Sequence, residues 1–311
     1  MDVDWAKLSD LTVNGLTQGS VYALIALGYS MVYGILKLLN FAHGDVYMIG
    51  AFIGFFTLDF LGGPIEPSLT PWLVVGGMFA VAMLGCGALG VVIERFAYRP
   101  LRDAPRIAPL ITALGVSFFL QNSALLLFGA NFRDYNTFEL IGVTTYHPFR
   151  NVYFTVTQLL TLAGSIGLMI GLTLLVARTR TGKAMRATSY DREAATMMGI
   201  DVDRVIASTF FVGSALAGAA GIMFGLVYGQ IYHFMGFLAG LKGFTAAVVG
   251  GIGSIPGAFL GGFLIGLTEA YSTGYLPQGS TFHDLYVFAL LIIVILVRPR
   301  GLLGKADVSK V

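Results

Sequence analysis

Charged side chains are scarce in this sequence. Asp, Glu, Lys and Arg make up 12% of its 311 residues, about half the roughly 25% of soluble globular chains. That is too little charge to cover a water-facing surface, so water is excluded as the main solvent. Cysteine is nearly absent: Cys86 alone, inside an apolar run, supports neither a disulfide framework nor a multi-cysteine metal site. The four histidines, His43, His147, His233 and His283, form no i,i+3 or i,i+4 pair, which argues against a helical metal centre of a membrane enzyme. A phosphate-cradling G-x-x-x-x-G-K-[ST] loop is also missing. At the nearest candidate, Gly182-Lys183, Ala177 replaces the first glycine and Ala184 the hydroxyl. Any ATP and Mg²⁺ would therefore be used by separate polypeptides, and no cofactor or metal is expected in this chain. Basic residues cluster beside apolar runs rather than alternating with aromatics, which argues against nucleic-acid binding.

Apolar sequence is abundant, with 56% hydrophobic residues and 41 glycines. Several runs approach the ~20 residues needed to cross ~30 Å of hydrocarbon, and small residues inside such runs let helices pack closely in lipid. The runs predict spans near 11–36, 44–62, 71–93, 107–128, 155–177 and 205–229. A further stretch, 237–273, is interrupted at Gly250-Gly251-Ile252-Gly253-Ser254-Ile255-Pro256-Gly257, which predicts a broken helix with halves near 237–251 and 256–273. A last run covers 284–297. The expected fold is an all-α polytopic integral membrane protein of eight to nine transmembrane segments, forming one domain over residues 1–311 with no polar linker.

Basic residues favour the cytoplasmic side of short loops. Segments 95–106, 178–204 and the tail after 297 hold 14 of the 19 Lys and Arg. Placing all three in the cytoplasm requires an outside N-terminus, an inside C-terminus and an odd number of crossings. Met1 to Asp10 carries three Asp and one Lys, unlike a secretory signal, so the first run is expected to remain as a span.

Polar residues inside the runs are the candidate path. At ~100° per residue, Asn14, Gln18, Tyr22, Tyr29 and Tyr33 share one stripe of the first span. Ser117 and Gln121 lie one turn apart in the fourth, with Asn122 adjacent. Such faces serve either interhelical hydrogen bonding or the wall of a substrate path. Glu269 is either an intramembrane acid or a residue at the outer headgroups. His43 and Asp45 are explained by capping at the start of the second span. The small-residue series Gly213, Ala217, Gly221, Gly225, Gly229, together with Gly257/Gly261 and Gly262/Gly266, predicts packing faces for an internal neighbour or a second subunit.

Segment 178–204 is the longest polar stretch between spans, with ten charged residues. Its stretch Ala184 to Met198 predicts one helix stopped by Gly199, either a solvated connector or a docking element. Glu193-Ala194-Ala195 with Gly199 resembles the start of the EAA-x-x-x-G coupling loop of ABC importer permeases, although the later Ile-x-Leu-Pro half is replaced by Thr209-Phe210-Phe211-Val212. The run Asn14-Gly15-Leu16-Thr17-Gln18-Gly19-Ser20-Val21-Tyr22, together with Asn40-Phe41-Ala42-His43-Gly44-Asp45, Thr181-Gly182-Lys183-Ala184-Met185-Arg186 and the Gly250 to Gly257 segment, closely resembles the LivH-type branched-chain amino-acid permeases. That resemblance implies a permease subunit of an ATP-driven importer in the inner membrane, for branched-chain or related amino acids, with urea and amides as alternative substrates. The implied partners are a second permease subunit, two cytoplasmic ABC ATPases and an extracytoplasmic binding protein. Glu193, Ala194, Ala195 and Gly199 would meet an ATPase, with close approach favoured by the small side chains. A self-sufficient carrier or channel, centred on the broken helix, is the other reading of the residues.

Overall fold

The computed structural model describes residues 4–61, 71–102, 104–105, 107–135, 137–142, 144–149 and 152–304. In chain order the elements are α1 (Trp5–Leu36), α2 (His43–Leu61), α3 (Pro71–Ile93), α4 (Ile107–Phe128), β1 (Arg133–Asp134), α5 (Thr137–Ile141), β2 (Thr145–Phe149), β3 (Val152–Thr155), α6 (Val156–Arg178), α7 (Arg180–Tyr190), α8 (Arg192–Met197), α9 (Val202–Tyr228), β4 (Gln230–Ile231), α10 (Met235–Gly250), α11 (Ile255–Tyr275) and α12 (Gly279–Val297). A π-helical turn, Glu94–Tyr98, and a 3-10 turn, Arg99–Leu101, extend α3.

Short polar residues set the helix ends. Asp4 caps α1 by accepting from the amides of Ala6 and Lys7. Thr155 and Gln158 form a reciprocal capping box on α6, satisfying amides that have no partner within the helix. In the interrupted segment Ser254 accepts from the Gly257 amide and Pro256 falls in the first turn of α11. The expected break occurs there, between Gly250 and Ile255. Gly251 and Gly253 take φ of 109° and 88°, a conformation a side chain would oppose. The tail closes the gap, since the amides of Leu302 and Leu303 donate to the carbonyls of Val249 and Gly250, each at 2.9 Å. The tail thus satisfies the carbonyls that end α10.

Among the described residues, seven helices are long and apolar enough to span a membrane: α1, α2, α3 with its extension, α4, α6, α9 and α12. Helix α10, with 16 residues, is shorter, and α11 carries Glu269 within its 21 residues. All nine helices overlap the expected spans. The centre is α1, which packs on α11, α9 and α10, so that 89% of its most apolar stretch is buried. Close packing rests on glycine, as the small-residue series predicted: a Cβ at Gly262 or Gly266 would strike α1 backbone at Ala23, Gly15 and Gly19. Gly213 and Gly221 of α9 likewise meet α1 and α2. These positions face neighbours within the chain, whereas Gly229, the last of the series, has nothing within 4 Å among the described residues and instead ends α9 with φ 74°.

Basic segments collect at one end of the bundle. Arg99 and Arg102 both pair with Asp203, and Arg102 also pairs with Glu94. The tail lies against the α10 C-terminus there, and Met185 and Arg186 share a cavity with Gly253. Arg106, Lys305 and Lys310 lie outside the described residues. At the opposite end β1 pairs with β4, and β2 and β3 form an antiparallel hairpin.

Candidate functional site

Two of the five stripe residues of α1, Gln18 and Tyr22, lie on one polar chain. Gln18 Nε2 donates to the Tyr22 hydroxyl at 2.8 Å, and that hydroxyl donates to Glu269 Oε2 at 2.9 Å. Asn14, nearer the helix start and exposed, accepts from Gln158 of α6 at 3.0 Å. Tyr29 and Tyr33 go elsewhere: Tyr29 stacks edge-on with His43 and Phe244, and Tyr33 lies under Lys37. The stripe divides because different neighbours cover its two halves.

Glu269 is 6% exposed, so its carboxylate lies among the helices rather than on the outer surface of the bundle. Its Oε1 accepts from Lys242 Nζ of α10 at 2.8 Å, and the same ammonium reaches Asp284 Oδ1 of α12 at 2.6 Å. His283 Nε2 lies 3.5 Å from Glu269 and 3.2 Å from Asp284. A buried acid in an apolar setting is stable only with such partners. Glu269, His283 and Asp284 offer ligand atoms within 4.8 Å of one another, but Lys242 already supplies the cation between two of them. Sequence reasoning missed Lys242 and Asp284 here. The available signal was Lys242, the one basic residue in 237–273, where Glu269 is the one acid; opposite charges inside adjacent apolar runs predict a pair.

A cavity of about 310 Å³ opens beside this network, lined by Gln18, Tyr228, Glu269, Thr273 and His283 among others. Its walls are the N-terminal parts of α1 and α12 and the C-terminal parts of α9 and α11, at the end of the bundle remote from the basic segments. A neighbouring cavity of about 440 Å³ shares Val227 and Tyr228 and reaches Asp134 and Gln158.

A second polar group links α2 with α4. Asp45 is fully buried and accepts from Ser117 Oγ and, at 3.0 Å, from Gln121 Nε2. Capping therefore does not account for Asp45, because its carboxylate faces the neighbouring helix. His43 is 1% exposed and packs on Gly28 and Tyr29, again an interior position. Asn122 departs from the expected group: it is exposed and its amide returns to the Phe118 carbonyl of its own helix. Ser117 and Gln121 share one face, and Asn122 is turned away by ~100°. Neither Ser117 nor Gln121 lines the cavity beside Glu269, so the residues proposed as one path form two separate groups.

The charged connection also differs from a single helix over 184–198. Asp191 is extended, with φ −155°, and its side chain accepts from the Ala194 amide, starting α8 as a separate helix. Arg192 donates to the Ile35 carbonyl at 3.1 Å; burial, with the positive charge of Arg102, lowers its pKa. Glu193 and Ala194 are exposed, whereas Ala195 is 4% exposed and packed inward. Gly199 does stop the helix. It has φ +79°, and the amides of Gly199 and Ile200 close onto the carbonyls of Thr196 and Ala195, the left-handed termination glycine favours. Among the described residues nothing lies within 4 Å of where its Cβ would be, so glycine is required there by backbone conformation rather than by a contact within the chain. Met197 and Met198 beside it are 84% and 83% exposed.

Comparison with known proteins gives these features a family. Residues 11–296 match the model described as branched-chain amino acid transport system / permease component. The high-affinity branched-chain amino acid transport system permease protein BraD of Pseudomonas aeruginosa is 45% identical over 301 residues, 96% of each chain. LivH of Escherichia coli K12, a protein of the same description, is 44% identical over the same shares. A probable LivH of Methanocaldococcus jannaschii is 28% identical over 96% of this chain and 94% of its own. These relatives are transport subunits rather than enzymes, and this multi-pass helical chain belongs to the family of branched-chain amino acid transport permeases.

Proposed function

We propose that this chain is the membrane subunit of an ATP-driven importer of branched-chain amino acids, working with a second permease subunit, two cytoplasmic ATPases and an extracytoplasmic binding protein. The observation that carries the reading is similarity at 44–45% identity over 96% of the chain to permeases so named. The chain is read as one transmembrane domain, in which 178–204 serves as the coupling loop. Nine crossings, with the N-terminus outside and the C-terminus inside, are supported by the gathering of basic segments at one end. The exposed face of α8, with Glu193, Ala194 and the turn at Gly199, is suited to meeting an ATPase, while Ala195 and Arg192 hold that helix to the bundle. ATP and Mg²⁺ belong to the partner. Coupling requires that the ATPases bind two permease states unequally, since equal affinity shifts nothing.

Reconstitution of the full assembly in proteoliposomes tests this. Uptake of radiolabelled leucine is expected to require both internal ATP and external binding protein, and to be competed by isoleucine and valine. Leucine uptake driven by an ion gradient without ATP, or carriage of urea or an amide in place of leucine, would overturn the reading.

A further inference from the structure

At the opposite end of the bundle from the Glu269 network, where the basic segments gather, a cavity of about 390 Å³ lies between the end of α1, the start of α4 and the α7–α8 junction. Three of its lining residues, Lys37, Arg102 and Arg192, are cationic, and among the described residues no acid lines it. Arg102 is matched: its two Nη atoms donate to Asp203 and Glu94, and Arg99 shares Asp203. Lys37 and Arg192 are not. The Lys37 ammonium lies 5.6 Å from the centre of the Tyr33 ring, Arg192 gives one N–H to the Ile35 carbonyl, and among the described residues neither pairs with a carboxylate. Asp191, beside Arg192 in the chain, does not line the cavity and caps α8 through the Ala194 amide. Burial and the charge of Arg102 lower the Arg192 pKa, so two of these cations are close enough to repel. Two donors in the lining are also unused. Thr188 is 1% exposed, and neither its hydroxyl nor Arg102 Nε has a hydrogen-bond partner among the described residues. Leaving buried donors unpaired is costly, and an anion rich in acceptor oxygens would answer both the charge and the donors.

We propose that this cavity binds the phosphate of an anionic phospholipid headgroup: Lys37 and Arg192 counter its charge, while the Thr188 hydroxyl and Arg102 Nε donate to its oxygens. The inference goes beyond the importer reading and takes from it only that the basic end faces the cytoplasm. The apolar part of the lining favours a lipid over a free ion. Ile35 and Leu36 end one span and Pro109 lies in the first turn of another, so the cavity sits where hydrocarbon gives way to headgroups. Basic pockets between spans on the cytoplasmic side suit anionic headgroups, and guanidinium groups suit phosphate oxygens. At about 390 Å³ the space is within the range of small-ligand sites. Its walls come from α1 and from α7 and α8, so a bound headgroup ties the charged connection 178–204 to the central helix.

Native mass spectrometry of the delipidated full-length chain, offered equal amounts of phosphatidylglycerol and phosphatidylcholine in detergent micelles, tests the assignment. The first lipid has a net negative charge; the second carries the same phosphate beside a cationic choline. Retention of one phosphatidylglycerol in clear preference is expected. Lys37→Asn is expected to lower that retention about fivefold, and asparagine suits the left-handed conformation of this residue, φ 56°. Arg192→Gln should act alike but also loses the Ile35 contact, so Thr188→Val provides a second route. It removes a hydroxyl without a partner among the described residues, so the stability of the delipidated chain is expected to hold or rise while phosphatidylglycerol retention falls about threefold. Arg300→Gln, exposed in the tail at the same end and outside the cavity, should leave the preference unchanged. Equal retention of the two lipids, or a preference that survives both Lys37→Asn and Thr188→Val, would overturn the site. If inorganic phosphate raises the thermal midpoint of the delipidated chain as far as phosphatidylglycerol does, and Lys37→Asn abolishes both effects, the cavity takes a soluble phosphate and the lipid assignment fails.

Discussion

Helices α1 and α12 are both long and apolar, yet their surroundings are opposite: 89% of the most apolar stretch of α1 is buried against 6% for α12. The buried helix carries polar residues along its length, whereas those of α12 end at Tyr286. Asn14, Thr17, Gln18, Ser20 and Tyr22 lie in α1, whereas α12 from Val287 to Val297 is wholly apolar. In water, burial selects apolar side chains; in lipid, both environments are apolar, and what burial supplies is close packing and hydrogen-bond partners. Polarity in an apolar run therefore marks the protein interior here. The two helices should respond differently to the same kind of substitution.

The largest effect is expected where α1 meets α11. A Cβ at Gly266 would collide with the backbone of Gly15 and Gly19, and no rotamer change relieves a clash with backbone. Gly266→Leu is expected to separate the helices and abolish accumulation of folded protein, read as loss of a monodisperse peak in detergent. A normal peak would mean that α1 is held mainly by its other neighbours.

Next comes the charge network of α10, α11 and α12 that the central helix meets through Tyr22. Lys242→Met leaves Glu269 and Asp284 without their shared cation, and breaking a buried pair costs about 3–5 kcal/mol. A clear fall in the thermal midpoint is expected, with partial recovery when Glu269→Gln is added, since one unpaired charge is then removed. If the double variant is no more stable than Lys242→Met, the ammonium is not neutralising Glu269.

Much of this was legible in the sequence, for physical reasons that vary along the chain. Span positions followed from uninterrupted apolar runs, and the break before Pro256 from clustered glycine. The Gln18 and Tyr22 side of the stripe was visible because helical periodicity places i and i+4 together. Partners from other helices were not: periodicity within α1 is silent about Lys242, and nothing local separates Asn122 from Gln121 until the α2 neighbour is known. Asp45 was misread for the same reason, because a residue in the first turn of a helix suits the dipole whether or not another helix covers it. The division of 184–198 depended on Asp191, whose side chain can serve a helix interior or a cap.

The smallest effect is expected on α12, and it sharpens the comparison most. Leu296 is 76% exposed, while Leu27 on α1 is 0% exposed. In the assembled bundle Leu296 projects away from the chain's own helices, and it would still meet lipid if α12 were inserted but detached. Truncation therefore removes similar contacts from both states, and Leu296→Ala should change stability by no more than about 0.5 kcal/mol. Leu27→Ala removes packing present only in the assembled state and leaves a cavity, for which about 2–5 kcal/mol is ordinary. Thermal unfolding of the two variants, first as the isolated chain and then within the importer, distinguishes two kinds of apolar surface. Equal tolerance of Leu296→Ala in both settings marks a face that meets lipid. Tolerance in the isolated chain followed by a loss of stability in the importer would place a protein neighbour on α12, because only a surface covered by close-packed protein loses contacts that lipid cannot restore.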